Sequence, residues 1–248
     1  MHDFPHDLPA DLGGWTIAFD LDGTLVDTAP DLVGALNAVL VEEGLPPVPM
    51  AQVRLLIGRG ARWLVRRGFE LAGEPLAEDR LDSLRLRFVS HYRPRIARES
   101  RPFPGCLAAL AGLRARGARL AVCTNKPQGL ALDLLGELAM LDLFEAVVGG
   151  DALPVQKPDP RHLLAAVEQA GGHRARAVLV GDGSPDVGAA QAAGVPCVVV
   201  DFGYNEVPAA EMGGDLVIGG YDELAGAVNR LVRKMVDATG IEPVTPSV

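Results

Sequence analysis

The sequence lacks the features of a membrane or exported protein. Nowhere in its 248 residues does an apolar run approach the roughly 20 consecutive residues that cross a membrane. The acidic start MHDFPHDLPADLGG has neither the basic nor the apolar region of a signal peptide. We therefore expect a globular, cytoplasmic protein that has no membrane partner.

Cysteine is scarce as well. The three cysteines, Cys106, Cys123 and Cys197, are isolated, and their spacing is not that of zinc ligands. Such a pattern favours buried, reduced thiols over disulfides or a zinc site. The five histidines are scattered and none ends a predicted strand, so the sequence does not support histidine-based catalysis.

Positive charge is in deficit overall but not everywhere. The net charge of -9 argues against nucleic acid as the main partner. Residues 29–100 nevertheless carry 11 arginines against 9 acids, whereas the rest of the chain carries 12 basic and 23 acidic residues. Residues 44–69 contain no acid and five arginines, which are Arg54, Arg59, Arg62, Arg66 and Arg67. This stretch is typical of a surface that faces an anion.

Short apolar runs that end in Gly, Asn or Asp recur along the chain, with helical patterns between them. They are WTIAFD (15–20), RLAVCTN (119–125), AVVGGD (146–151), AVLVGD (177–182), PCVVVD (196–201) and DLVI (215–218). Nearly continuous apolar strands indicate a sheet that is covered on both faces. The alternation of strands and helices predicts an α/β fold with a doubly wound parallel sheet.

One interval breaks this alternation. Between the first and second strands the sequence has apolar positions at three- and four-residue spacing and no strand pattern. We expect an inserted all-helical cap of about four helices. The predicted catalytic core comprises residues 1–28 and 101–248, and the predicted cap comprises residues 29–100.

Chemically related side chains follow the predicted strands. In open parallel sheets, ligands bind beyond the carboxyl ends of the strands, near the point where strand order reverses. The residues expected there are Asp20, Asp22, Thr124, Asn125, Lys157, Asp182 and Asp186.

Such a cluster of acids needs a cation, and carboxylate oxygens suit Mg²⁺ that also binds phosphate. One aspartate could attack phosphorus to form an aspartyl-phosphate, while the second, two residues on, donates and accepts protons. A lysine and a hydroxyl would bind the phosphoryl oxygens. The sequence therefore predicts Mg²⁺-dependent phosphoryl transfer on a small phosphorylated metabolite, with no obligate protein partner.

Four motifs in order resemble those of the haloacid dehalogenase-like phosphohydrolases. They are DLDGTLVDT, VCTNK, KPDP and VGDGSPD. The resemblance spans nearly the whole chain and includes a helical cap inserted after the first motif. It implies a Rossmann-like core and an Mg²⁺-dependent phosphatase.

The resemblance also implies a role for each motif residue. Asp20 would be the nucleophile, Asp22 the general acid/base, and Lys157 a support for both nucleophile and phosphate. Thr124 and Asn125 would bind the transferring phosphoryl group. The implied Mg²⁺ ligands are Asp20, the backbone carbonyl of Asp22, and Asp182, with Asp186 close behind. One position departs from the family pattern, because Gly183 stands where members commonly have Ser.

Several of these features also have purely structural explanations. Asp22-Gly23 is compatible with a hairpin turn, and Ser184-Pro185-Asp186 with an ordinary helix start. Lys157 could be a solvated loop lysine. Arg62 and Arg66 lie one turn apart, as in any amphipathic surface helix, although Gly58-Arg59-Gly60 before them could offer N–H groups to an anion. We keep Arg62 as a candidate substrate contact.

Within the family, the segments DLVGALNAVLVEEGLPP, GRGARWLV and FGYNEVP resemble bacterial phosphoglycolate phosphatases. This implies hydrolysis of 2-phosphoglycolate to glycolate and phosphate. The alternatives are another sugar-phosphate phosphatase, a phosphoglucomutase, a metal-free acid dehalogenase, or a non-catalytic phosphate-binding protein. The intact pair Asp20 and Asp22 disfavours the last two, because metal-free dehalogenases of the family lack the second aspartate and binding alone needs neither.

Overall fold

The computed structural model of the protein describes residues 11–239. The first ten residues, on which the expectation about a signal peptide partly rests, and residues 240–248 lie outside the described part. Within residues 11–239, no helix is both long enough and apolar enough to cross a membrane.

The strands form one large sheet and one short ribbon. In chain order they are β1 (Thr16–Phe19), β2 (Val26–Asp27), β3 (Arg101–Pro102), β4 (Arg119–Cys123), β5 (Ala146–Val148), β6 (Ala177–Gly181), β7 (Cys197–Val200) and β8 (Leu216–Ile218). Six of them build a parallel sheet in the order β5-β4-β1-β6-β7-β8. Each of these six lies within one of the predicted apolar runs. The strand order reverses on either side of β1, so β1 lies between β4 and β6.

The helices alternate with these strands, except for four consecutive helices between β2 and β3. In chain order they are α1 (Ala29–Glu42), α2 (Met50–Arg54), α3 (Ala61–Leu71), α4 (Glu78–Tyr92), α5 (Cys106–Ala115), α6 (Gln128–Glu137), α7 (Pro160–Gln169), α8 (Ser184–Ala193) and α9 (Leu224–Thr239). Helix α4 packs against both α1 and α3. The predicted fold class, a doubly wound sheet with an inserted helical segment, is confirmed.

Strand β1 has apolar neighbours on both faces, which explains its nearly continuous apolar sequence. Ile17 and Phe19 belong to the buried cluster on one face and Ala18 to the cluster on the other. Helices α5, α6 and α9 contribute buried side chains to the first face, while α7 and α8 cover the second. A strand that is buried on both sides cannot alternate apolar and polar residues.

The two chain crossings between the sheet and the inserted helices run side by side. Strands β2 and β3 are antiparallel, with Val26 opposite Pro102. Just beyond this pair, Asp31 Oδ2 accepts hydrogen bonds from the backbone N–H groups of Glu99 (2.9 Å) and Ser100 (2.8 Å). The predicted cap boundaries fall next to this pairing. The division into two domains at those residues stays a prediction.

Candidate active site

The central position of β1 brings the ends of three strands together. Asp20 follows β1, Thr124 follows β4, and Asp182 follows β6. Because β4 and β6 are the two neighbours of β1 in a parallel sheet, their carboxyl ends meet at one edge. All three side chains are buried there.

Asp20 shares an ammonium with a second carboxylate. Lys157 Nζ lies 2.8 Å from Asp20 Oδ1 and 2.6 Å from Asp186 Oδ1. Burial raises the pKa of Asp20 to about 6, although Lys157 works in the opposite direction. Burial alone would lower the pKa of Lys157, but Asp186 and Asp20 raise it overall. Lys157 is therefore a buried, charged residue and not a solvated loop lysine.

Asp186 has two roles at once. Helix α8 begins at Ser184, and the N–H of Gly183 donates to Asp186 Oδ2 at 3.1 Å, so the carboxylate caps the helix. The other oxygen of Asp186 binds Lys157. The sequence left open whether Asp186 belongs to an ordinary helix start or is a functional acid, and the geometry is compatible with both.

Asp182 is held by a hydroxyl and a backbone amide. Thr24 Oγ1 donates to Asp182 Oδ1 at 2.8 Å, and the N–H of Tyr204 donates to Asp182 Oδ2 at 2.7 Å. Burial, followed by the charges of Asp20 and Asp186, raises the pKa of Asp182 well above its usual range.

These acids fit a divalent cation. Asp20, Asp182 and Asp186 each offer one carboxylate oxygen, and the three atoms lie within 4.8 Å of one another. Lys157 contacts two of these acids, Asp20 and Asp186, and its single positive charge does not balance three carboxylates. Buried oxygen ligands with excess negative charge suit Mg²⁺.

Gly23 makes room for this cluster. Its φ of 86° lies in the left-handed region, and a Cβ there would lie 2.3 Å from Asp182 Oδ2. The turn after β1 does not continue into a hairpin with that strand, since β1 pairs with β4 and β6. A glycine here lets the backbone leave the sheet edge without displacing Asp182.

Asp22 has partners of its own, separate from the Asp20 cluster. Thr28 Oγ1 donates to Asp22 Oδ1 at 2.7 Å, and Lys126 Nζ lies 2.9 Å from Oδ1 and 3.2 Å from Oδ2. Lys126 Nζ also donates to the hydroxyl of Tyr92, at the end of α4, at 2.9 Å. Burial alone would lower the pKa of Lys126, but Asp22 raises it overall.

A small cavity joins the reacting groups to the inserted helices. It has a volume of about 30 Å³, and Asp20, Asp22, Thr124, Asn125 and Lys126 line it on the sheet side. The inserted helices close it mainly with apolar side chains, and Tyr92 lines it as well. Asn125 fixes part of this closure, because its Nδ2 donates to the backbone carbonyls of Gly58 (3.0 Å) and Lys157 (3.1 Å).

A second, larger cavity of about 420 Å³ lies between α3 and the loop that carries Lys157. Asn125 and Lys157 line it, together with Arg62 of the inserted segment. The guanidinium of Arg62 contacts Glu78 and Asp82 of α4. Arg62 thus lies on a cavity wall near the cluster but is already ion-paired, and its role as a substrate contact stays a prediction.

Apart from Arg62, the structure places the predicted site residues in two groups. Asp20, Lys157, Asp182 and Asp186 form the charged cluster. Asp20 also lines the small cavity with three other predicted residues, which are Asp22, Thr124 and Asn125.

Sequence reasoning missed Lys126, Tyr92 and Tyr204. Lys126 directly follows Asn125 at the end of β4, and this position was the one available signal for it. Tyr204 lies in the FGYNEVP segment, but its sequence does not reveal that its hydroxyl accepts from the N–H groups of Thr28 (2.7 Å) and Ala29 (2.9 Å).

Comparison with known proteins identifies relatives over most of the chain. Residues 17–200 match the family model of the haloacid dehalogenase-like hydrolases. The chain is 55% identical over 208 residues to a phosphoglycolate phosphatase of Caulobacter vibrioides, covering 84% of this chain and 88% of that one. It is 44% identical to a phosphoglycolate phosphatase of Agrobacterium fabrum, covering 88% and 92% of the two chains.

Solved structures agree with these sequence matches. A crystal structure of a predicted phosphoglycolate phosphatase from Haemophilus somnus 129pt superimposes with a TM-score of 0.79 at 30% identity. The match covers 87% of this chain and 98% of the other.

Proposed function

We propose that this chain, which belongs to the haloacid dehalogenase-like hydrolase family, hydrolyses 2-phosphoglycolate to glycolate and phosphate. The observation that carries the proposal is that Asp20 and Asp22 line one small buried cavity. The names of the relatives support the substrate, and the family supports phosphate ester hydrolysis. The substrate is thus a small phosphorylated metabolite, and the proposed location of the reaction is the cytoplasm.

In the first step, a carboxylate oxygen of Asp20 attacks phosphorus. The bond between phosphorus and the ester oxygen breaks, and protonated Asp22 gives its proton to that oxygen, so glycolate leaves and Asp20 carries the phosphoryl group. Two separate carboxylates with different partners support these two roles. Lys157 contacts Asp20, whereas Thr28 and Lys126 contact Asp22.

In the second step, water attacks the aspartyl-phosphate. Asp22 now takes a proton from that water, the bond between Asp20 and phosphorus breaks, and inorganic phosphate is released. Both carboxylates return to their starting states, which makes the cycle catalytic. Burial of the site excludes bulk water that would otherwise solvate the reacting groups.

Three further groups are suited to bind the phosphoryl oxygens. Thr124 offers a hydroxyl and Lys157 an ammonium, and both are buried. The buried amide of Asn125 is the third group, and its Nδ2 would exchange its bond to the carbonyl of Gly58 or of Lys157 for one to a phosphoryl oxygen. Preorganised donors in a site without bulk water stabilise charge that develops in the transition state.

Mg²⁺ is the cofactor that this proposal includes. Asp20, Asp182 and the backbone carbonyl of Asp22 would hold it, with Asp186 adjacent. When bound, Mg²⁺ neutralises negative charge on the phosphoryl group. The excess of carboxylates over ammonium in the cluster supports this assignment.

The testing experiment is steady-state kinetics on a panel of small phosphate esters, with and without EDTA. We expect 2-phosphoglycolate to have the highest kcat/KM and EDTA to abolish turnover. A panel in which sugar or nucleotide phosphates rank far above phosphoglycolate would overturn the substrate. Undiminished turnover in EDTA would overturn the cofactor.

A further inference from the structure

The substrate of the proposed function has two anionic ends, and the site must bind both. In 2-phosphoglycolate a single methylene separates the ester oxygen from a carboxylate. Asp20, Thr124 and Lys157 account for the phosphoryl end. A cation is therefore needed near the leaving group, and the side chains that line the two cavities offer Lys126, Arg59, Arg62 and Arg66 as candidates besides Lys157.

The three arginines are poorly placed for this role. Arg62 contacts Glu78 and Asp82, and Arg66 Nη2 lies 2.6 Å from Glu78 Oε2. Arg59 Nε lies 2.8 Å from Glu206 Oε1. All three line the larger cavity, and none lines the small cavity that contains Asp22. A carboxylate bound to them would compete with an acid of the protein, as it also would at Lys126. What disfavours the arginines is therefore that they do not line the cavity that contains Asp22.

Lys126, by contrast, contacts the residue that protonates the leaving group in the proposed mechanism. Asp22 has to lie within hydrogen-bond distance of the ester oxygen, about 2.6–3.2 Å, to protonate it. Lys126 Nζ is 2.9 Å from Asp22 Oδ1. The carboxylate of the substrate is one carbon away from the ester oxygen. When Asp22 contacts the ester oxygen, the adjacent Lys126 is therefore close to the substrate carboxylate.

The ammonium could exchange one of its present contacts for the substrate. A lysine carries three N–H donors, and Lys126 Nζ contacts Asp22 Oδ1 (2.9 Å), Asp22 Oδ2 (3.2 Å) and the hydroxyl of Tyr92 (2.9 Å). The contact with Asp22 Oδ2 is the longest of the three, and a substrate carboxylate would replace it. Among the described side chains that line the small cavity, Lys126 is the only cation. Besides Tyr92, the inserted helices contribute apolar walls to this cavity, and Leu64 and Phe88 are examples.

We propose that Lys126 is a specificity-determining residue that binds the carboxylate of the leaving group. This inference rests on the proposed function, because it assumes a substrate with an anionic group one carbon from the ester oxygen. It assigns selectivity to a residue at the end of β4 and not to the arginines of the inserted segment.

The experiment compares 2-phosphoglycolate with ethyl phosphate, which has the same chain length and no carboxylate. The measured quantity is the ratio of kcat/KM for the two esters, which does not depend on the active fraction of a preparation. Lys126→Met should lower this ratio by about 100-fold, since a buried charge would lose its partner. Arg66→Met, which removes a cation from the larger cavity, is the matched control and should leave the ratio within about twofold.

Each outcome decides the question. An equal loss of activity on both esters in Lys126→Met would mean that Lys126 only positions Asp22, and the inference would be wrong. A ratio that falls in Arg62→Met but not in Lys126→Met would also overturn it. A wild-type enzyme without preference for phosphoglycolate over ethyl phosphate would instead overturn the proposed function.

If Lys126→Met turns over neither ester, the affinities for the two esters test the inference instead. The dissociation constants of both esters are then measured by calorimetry in Asp20→Asn, with and without Lys126→Met. We expect Lys126→Met to weaken phosphoglycolate binding by about 30-fold or more and to leave ethyl phosphate binding unchanged. Equal affinities for phosphoglycolate in the two proteins would overturn the inference.

Discussion

Lys157 Nζ lies 2.6 Å from Asp186 Oδ1, and both side chains are almost completely buried. The same ammonium lies 2.8 Å from Asp20, so Asp186 fixes the position of the group that faces the proposed nucleophile. Asp186 is itself fixed by the N–H of Gly183 at the start of α8. A helix terminus is thereby connected to the reacting carboxylate through one lysine.

Loss of this lysine should destabilise the protein. In Lys157→Met, Asp20 and Asp186 remain buried without their ammonium, which typically costs about 3–5 kcal/mol of unfolding free energy. We expect urea denaturation to report a loss of this size. Lys234→Met, at a largely exposed lysine, is the control and should change the unfolding free energy by less than about 0.5 kcal/mol. Equal stability of the two variants would contradict the buried ion pairs.

Asp20→Asn should remove the nucleophile and keep the fold. We expect kcat to fall by about 10⁴-fold or more, because the amide cannot attack phosphorus. Asp201→Asn is the matched control, since Asp201 also follows a strand of the sheet but is exposed. Activity near that of the wild type in Asp20→Asn would rule out the aspartyl-phosphate mechanism, provided that circular dichroism confirms the fold.

Binding of Mg²⁺ should weaken in acid. Burial raises the pKa of metal-free Asp20 to about 6, so below this pH protons occupy a carboxylate that the cation needs. At pH 8 the carboxylate is free, and saturating Mg²⁺ should raise the melting temperature by about 5–10 °C. At pH 5 the shift should be much smaller. NaCl at matched ionic strength is the control, and equal shifts at both pH values would contradict the prediction.

Tyr204→Phe should destabilise the start of α1. The Tyr204 hydroxyl accepts from the N–H groups of Thr28 and Ala29 and donates to Asp27 at 2.6 Å. Its removal leaves buried polar groups without partners, at a cost of about 2–4 kcal/mol in unfolding free energy. Tyr221→Phe, which loses its bond to the carbonyl of Thr24, should cost about 1 kcal/mol. Denaturant titrations of the two variants test this order.

The thiols should be unreactive in the native protein. All three cysteines are free and buried, and burial raises the pKa of Cys106 and of Cys123 to about 12. Because the thiolate is the reacting form, a disulfide reagent at pH 8 should modify fewer than one thiol per chain within minutes. The same reagent in guanidinium chloride should find three. Rapid modification of the native protein would contradict the burial.

The sheet was predictable because its strands are buried on both faces. A run such as Ala177–Gly181 has no polar residue, so its burial follows from its composition alone. The ribbon of β2 and β3 was not predicted. Its strands have two residues each, too few to show any period, and their pairing depends on residues that the inserted helices separate in sequence.

The site residues that lie at strand ends could be predicted from the sequence. The side-chain contacts between residues far apart in sequence could not. Asp20 and Asp182 come together because β1 and β6 are neighbours. Lys126 can be buried because its ammonium contacts the carboxylate of Asp22, which lies 104 positions earlier in the chain. Arg62 lies in a stretch without acids, yet Glu78 neutralises it across the interface between two helices. Only the packing of those helices could reveal this.

The pairing of β2 with β3 has a consequence for chain topology. Val26 faces Pro102 and Asp27 faces Arg101, so the chain leaves the core and returns to it at one place. Everything between those residues is therefore a loop that is closed at its base. The distance between the two ends of this segment is thus fixed by the β2–β3 pair and not by the length of the segment.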